Sequence, residues 1–134
     1  MNLVSFNRVF FVTWFSFLSL LLLPLPSAWA NPVVSLVFAG DTTLDDDAGD
    51  LIAKGGDPFA DFSSFFASAD IRITNLECVV ASKGSAADKM FTFRAHPRVI
   101  PVLKRHFDAV TLANNHSGDF GPDAFAEMLK LLKE

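Results

Sequence analysis

Asp41, Asn75, Glu77, Asn115 and His116 are the residues of this chain whose types can do chemistry together. Carboxylates, carboxamides and an imidazole are the oxygen and nitrogen donors that hold divalent ions such as Mg²⁺, Mn²⁺, Fe²⁺ or Zn²⁺. Two such ions can clamp a phosphoryl group and activate water while a nearby histidine protonates the leaving oxygen. Each residue also has a plainer reading. Asp41 can cap a turn, Asn75 and Asn114 can satisfy loop backbone groups, Glu77 can pair with Arg72 or Arg94, and His116 can be a hydrogen-bonded loop histidine. Position favours the chemical reading, because these residues stand at the ends of three successive predicted strands.

The elements that must position them follow from hydrophobic periodicity. Val33-Val34-Ser35-Leu36-Val37-Phe38 reads as a buried strand ending at Gly40-Asp41; Ile71 to Asn75 is a second, and Ala109 to Ala113 a third that runs into Asn114-Asn115-His116. Between them lie helical signals. A short helix is expected around residues 48–54, and Asp57-Pro58 opens another with Phe59, Phe62 and Phe66 on one face. Pro97 begins a third, burying Val99, Ile100, Leu103 and Phe107; a last helix starts near Gly121-Pro122-Asp123 and buries Phe125, Met128, Leu129 and Leu132. Phe91-Thr92-Phe93 is expected to be extended and residues 82–90 to form a surface loop. Strand alternating with helix predicts an α/β fold with three parallel strands and crossover helices, and ligands in such sheets gather at the carboxyl ends of the strands. Three strands make a thin sheet with exposed edges, so the sequence is expected to be the opening part of a larger domain.

Residues 1–30 stand apart. A short basic start at Arg8, an apolar stretch from Val9 to Leu23, Pro24 and Pro26, and then Ala28-Trp29-Ala30 give the layout of a signal peptide cleaved after Ala30. The apolar stretch is shorter than the roughly 20 residues that a bilayer span needs. The expected organisation is a signal peptide at 1–30 and an α/β domain at 31–134, exported to the periplasm, the extracellular space or the outer face of the cytoplasmic membrane. Membrane attachment would require the leader to be retained. Removing the leader takes away one of the 11 Lys and Arg residues and none of the 15 Asp and Glu. The remainder is mildly acidic and has no basic cluster to neutralise phosphates, which argues against nucleic-acid binding. Lys104-Arg105 is read as part of a solvated helix face. The lone Cys78 excludes an internal disulfide and is expected to be a small buried hydrophobe. Asp45-Asp46-Asp47 lacks the glycine and distal glutamate of a calcium loop and reads as a solvated loop.

Several blocks then resemble a known family. Phe38-Ala39-Gly40-Asp41, Asp57-Pro58-Phe59, Ala69-Asp70-Ile71, Thr74-Asn75-Leu76-Glu77, Phe91 to Arg94, and above all Leu112-Ala113-Asn114-Asn115-His116 with Asp119-Phe120-Gly121 resemble the CapA family of capsule, poly-γ-glutamate synthesis proteins. The resemblance covers residues 33–133. It implies a partial metallophosphoesterase-like sandwich, a fold similar to calcineurin-like enzymes with a dinuclear metal centre. By resemblance, Asp41 is a first-strand ligand, Glu77 or Asn75 takes the place of the bridging or second-strand ligand, Asn115 binds metal, and His116 is the acid or transition-state stabiliser. The metals implied are Mn, Zn, Fe or Mg.

Three departures from the phosphoesterase pattern accompany the match. Thr43 stands where a histidine usually follows the first aspartate, Glu77 stands where an aspartate is usual, and the histidines of later strands are expected beyond Glu134. His96 and His106 lie on or near a helix and are expected to have surface roles. The function implied is poly-γ-glutamate capsule synthesis or release, either as a metal-dependent hydrolase of a phosphoester or amide or as a non-catalytic subunit. That subunit would bind the anionic polymer and a membrane-bound capsule synthase; an inactive truncated product is the third alternative.

Overall fold

The apolar run Leu36-Val37-Phe38 continues through Ala39-Gly40 to Asp41 and Thr42, and this stretch is strand β1 (Leu36–Thr42). The computed structural model describes residues 33–133, of which those from Val34 onward form one unit. The predicted signal peptide lies outside the described residues. β2 (Ile71–Leu76) and β5 (Ala109–Thr111) complete a three-stranded sheet of order β1-β2-β5, with both pairings parallel. A second, two-stranded parallel sheet joins β3 (Val79–Val80) to β4 (Arg94–Ala95). The predicted three-strand parallel sheet is therefore present. β1 begins and ends later than predicted, β5 stops two residues sooner, and the extended segment expected at 91–93 pairs instead at Arg94–Ala95.

Among the described residues, four α-helices connect or follow the strands: α1 (Asp46–Ala53), α2 (Ser63–Phe66), α3 (Ile100–His106) and α4 (Pro122–Lys133). The acidic triplet is not the solvated loop its composition suggests. Asp45 stays extended just before α1, with Oδ2 accepting from Arg94 N at 2.8 Å, while Asp46 and Asp47 fill the first helical turn. Carboxylates there meet the positive end of the helix dipole.

The single helix expected from Asp57 is broken into a 3₁₀ turn at Ala60–Phe62 followed by the one-turn α2. Asp57 Oδ1 accepts from Phe59 N at 3.0 Å, an aspartate turn that delays the helix start. Ser63 Oγ donates back to Phe59 O, competing with the regular ladder. Phe59 and Phe66 pack on Phe107, but Phe62 and Phe65 remain exposed, so the predicted Phe59-Phe62-Phe66 face loses its middle member.

His106 is buried, contrary to the surface role expected of it. Its ring lies against Phe59 and Phe66, and its Nε2 is 2.8 Å from Asp57 Oδ2, which also takes Arg105 Nη1 at 2.6 Å. Burial pushes the Asp57 carboxyl up, but bonds from His106, Phe59 N and Arg105 outweigh it and hold the group below its usual value. His96 instead caps the 3₁₀ turn at Pro97–Val99, with Nδ1 accepting from Arg98 N.

The core gathers Leu76, Val79, Val80, Val99, Leu103 and Met128 with Cys78, all nearly or wholly buried. Burial raises the Cys78 thiol to about 11, which keeps it protonated and inert at neutral pH. The predicted buried face of α3 is present. On α4, Ala124 and Met128 are buried, whereas Leu129 is exposed and leaves the predicted stripe. Val37, Ala39 and Val110 pack against this core, while Leu36, Phe38 and Ile71, on the alternate residues, are exposed. Among the described residues the sheet thus has one covered face and one open face.

Gly84 lets the loop between β3 and β4 pack closely on the start of α4. Its φ is +104°, and a Cβ there would lie 2.3 Å from Phe120 O and 3.0 Å from Ala124 Cβ. Gly55 also has positive φ, +84°, but open space around it. Gly84→Ala is therefore expected to cost about 3 kcal/mol in urea unfolding and Gly55→Ala only about 1 kcal/mol. Equal costs at the two positions would contradict the close approach.

Candidate functional site

The site begins with an irregularity in β1. Phe38 pairs with Ile73, yet Asp41 pairs with Asn75, so β1 carries one extra residue between them. Such a bulge re-aims the side chains beyond it. Uninterrupted pairing would have set Asp41 beside Leu76; the bulge sets it beside Asn75. Thr74 Oγ1 donates to Gly40 O at 2.9 Å, satisfying the bulged backbone, and so Thr42 Oγ1 is the donor in its 2.7 Å bond to Thr74 Oγ1. Asn75 pairs with Thr111 on the other side. Asp41, Asn75 and Thr111 therefore form a row across all three strands at their carboxyl ends. The row continues the open face on which Phe38, Ile73 and Ala109 precede it.

Asn114 organises this row. Its Oδ1 accepts from the backbone N–H groups of His116 and Ser117, both at 3.0 Å. A backbone N–H can only donate, so the Asn114 NH₂ must face the other way. It donates to Leu76 O at 2.9 Å and to Asn75 Oδ1 at 3.0 Å, and Thr111 Oγ1 also donates to Asn75 Oδ1. With its oxygen thus occupied, Asn75 turns its NH₂ toward the carboxylates, 2.8 Å from Asp41 Oδ1 and 2.5 Å from Glu77 Oε2. Donor and acceptor roles are fixed from the backbone outward, with no freedom left for either amide.

His116 enters from the turn after β5. Its Nδ1 is 2.8 Å from Asp119 Oδ2, and since a carboxylate cannot donate, Nδ1 carries the proton. Among the described residues Nε2 has no hydrogen-bond partner, lying 4.0 Å from Glu77 Oε1, too far for a hydrogen bond. Asp119 is almost wholly buried and also accepts from Phe93 N at 2.7 Å, while the Phe93 ring lies 4.5 Å from the imidazole. Lys89 reaches in from the 82–90 loop to form an ion pair with Asp119 Oδ1 and to donate to Asn115 O at 2.7 Å. Burial alone would raise the Asp119 carboxyl, but the bonds from Lys89, His116 and Phe93 N hold it below its usual value. A carboxylate so depressed contributes stability above the unfolded value near 3.8 and loses it as pH falls through the folded value.

The structure brings Asp41, Asn75, Glu77 and His116 together at one end of the sheet. Asn115 is exposed at the rim, and among the described residues its side chain makes no hydrogen bond. Neither ion pair considered for Glu77 forms. Arg72 is taken by Asp108, whose carboxyl it lowers to about 2, and Arg94 donates to Gly84 O and lies over the Phe120 ring. The plainer reading of Asn114 holds, because it does satisfy loop backbone groups, and in doing so it orients Asn75. Asp119 and Lys89 were not among the predicted site residues. The three-residue spacing of His116 and Asp119 within one turn was the available signal for the first; nothing local marked Lys89.

Among the described residues, no three His, Cys, Asp or Glu side chains come together as a ligand set for a metal ion. Asn75 meets both carboxylates with N–H groups, which have no lone pair to give a cation. As arranged, these residues do not fit a divalent ion. What they can do is hold two carboxylates beside an aspartate-oriented imidazole with a free Nε2, a constellation suited to proton transfer.

Fold and site together define a parallel α/β protein with an acid, amide and imidazole constellation at its strand ends. Residues 35–134 match the family described as Bacterial capsule synthesis protein PGA_cap, and the chain belongs to that family. No curated protein matches the chain.

Asn114→Ala removes the acceptor for two backbone N–H groups and strands the buried Leu76 O. It is expected to cost about 2–3 kcal/mol in urea unfolding, against less than about 0.5 kcal/mol for Asn115→Ala. A reversed order would contradict the assignment of the organising role to Asn114.

Proposed function

We propose that this protein acts outside the cytoplasmic membrane in the synthesis or release of a poly-γ-glutamate capsule, with the strand-end site engaging the anionic polymer. Membership of the capsule synthesis family supports the setting, and the leader-like residues 1–30 support export. The observation that carries a chemical role is the pairing of His116 with Asp119. Asp119 fixes the imidazole tautomer and steadies the imidazolium when it forms, so that Nε2 can take a proton from, or return one to, a bound group. Lys89 balances the buried Asp119 charge. Asp41 and Glu77, held by the Asn75 NH₂, present carboxylate oxygens beside it that can accept hydrogen bonds from the amide N–H groups of the polymer. No metal is given a step in this reading, because Asn75 meets those carboxylates as a donor.

The test is complementation of a capsule-forming bacterium lacking its own protein of this family, with variants checked for equal protein level. His116→Ala is expected to lower surface polymer about a hundredfold, the scale of general acid–base catalysis, and Lys130→Ala to leave it unchanged. Wild-type polymer output from His116→Ala would sink the chemical role. That outcome would leave a polymer- or partner-binding subunit as the reading.

A further inference from the structure

We infer that Asn75 keeps divalent metal ions out of the strand-end site, its carboxamide NH₂ standing between Asp41 and Glu77 where an ion would have to sit. The inference does not depend on the proposed role in capsule assembly. Both carboxylates point an oxygen at Asn75 Nδ2, at 2.8 and 2.5 Å. A hard cation binding the two carboxylates and the carboxamide would need the amide oxygen, since an amide N–H has no lone pair to give.

Turning the amide over is blocked one residue further away. A flipped Asn75 would set its NH₂ against the NH₂ of Asn114 and its oxygen against two carboxylates. Asn114 cannot turn in compensation, because His116 N and Ser117 N need its oxygen and Leu76 O needs its NH₂. Thr111 Oγ1, the other donor to Asn75 Oδ1, adds to the lock. The polarity of the site is therefore written in the backbone of the turn after β5 and relayed through two amides to the carboxylates. Asn75→Asp would replace the donor by an acceptor and place three carboxylates in a row.

Two measurements on the full chain test this. In calorimetric titration with MnCl₂, Asn75→Asp is expected to bind at least about tenfold more tightly than wild type, because affinity in oxygen-ligand sites follows the count of charged ligands. Equal affinity, or a folded Asn75→Asp variant that gains none, would overturn the inference. Should the variant not fold, wild-type NMR decides. Substoichiometric Mn²⁺ is expected to broaden the His116 ring signals no more than those of the exposed His96, and selective broadening at His116 would overturn it.

Discussion

Two backbone N–H groups, those of His116 and Ser117, leave the Asn114 side chain one orientation, and the site depends on that constraint. From it follow the NH₂ of Asn114 on Asn75, the NH₂ of Asn75 between Asp41 and Glu77, and the tie from Asn114 to Leu76 O at the end of β2. The chain of bonds runs from the turn after β5, across β2, to the end of β1. It crosses the sheet where parallel strands leave their last backbone groups, and uses side-chain amides where the ladder stops. Each amide is satisfied on both its oxygen and its nitrogen, which gives the polar row a single hydrogen-bonding pattern.

A second set of contacts places the imidazole. Phe93 N, Lys89 and His116 converge on the buried Asp119, and Lys89 comes from a loop that Gly84 holds against the start of α4. The pairing of β3 with β4 brings Phe93 to that point. The minor sheet therefore has a role beyond adding core, since it carries one wall of the site. Thr42 and Thr74 do the corresponding work at the bulge, supplying buried hydroxyls where the β1–β2 ladder is interrupted.

Much of this was legible in the sequence and some could not be. Strand ends carrying Asp41, Asn75, Glu77 and His116 are visible because apolar runs stop abruptly at polar residues. The bulge is not, because Ala39-Gly40-Asp41 reads as the end of the strand until its pairing with β2 is known. The burial of His106 is hidden by its neighbours Lys104 and Arg105, and its partner Asp57 lies 49 residues earlier. The resemblance of motif points to Asn115, whereas the two backbone N–H groups that follow Asn114 decide which asparagine turns inward. Asp45 shows the same limit, since its partner Arg94 N is brought by a strand pairing that composition does not announce.

The family sets the biological frame and the hydrogen bonds set the chemistry within it. Membership gives a capsule synthesis protein; the orientation of one carboxamide distinguishes a proton-transfer constellation from a cation site. Neutron diffraction from deuterium-exchanged crystals measures that orientation directly. Both deuterium atoms of the Asn75 side chain are expected on the side of Asp41 and Glu77, with its oxygen toward Thr111 and Asn114. An oxygen found facing the two carboxylates would contradict it.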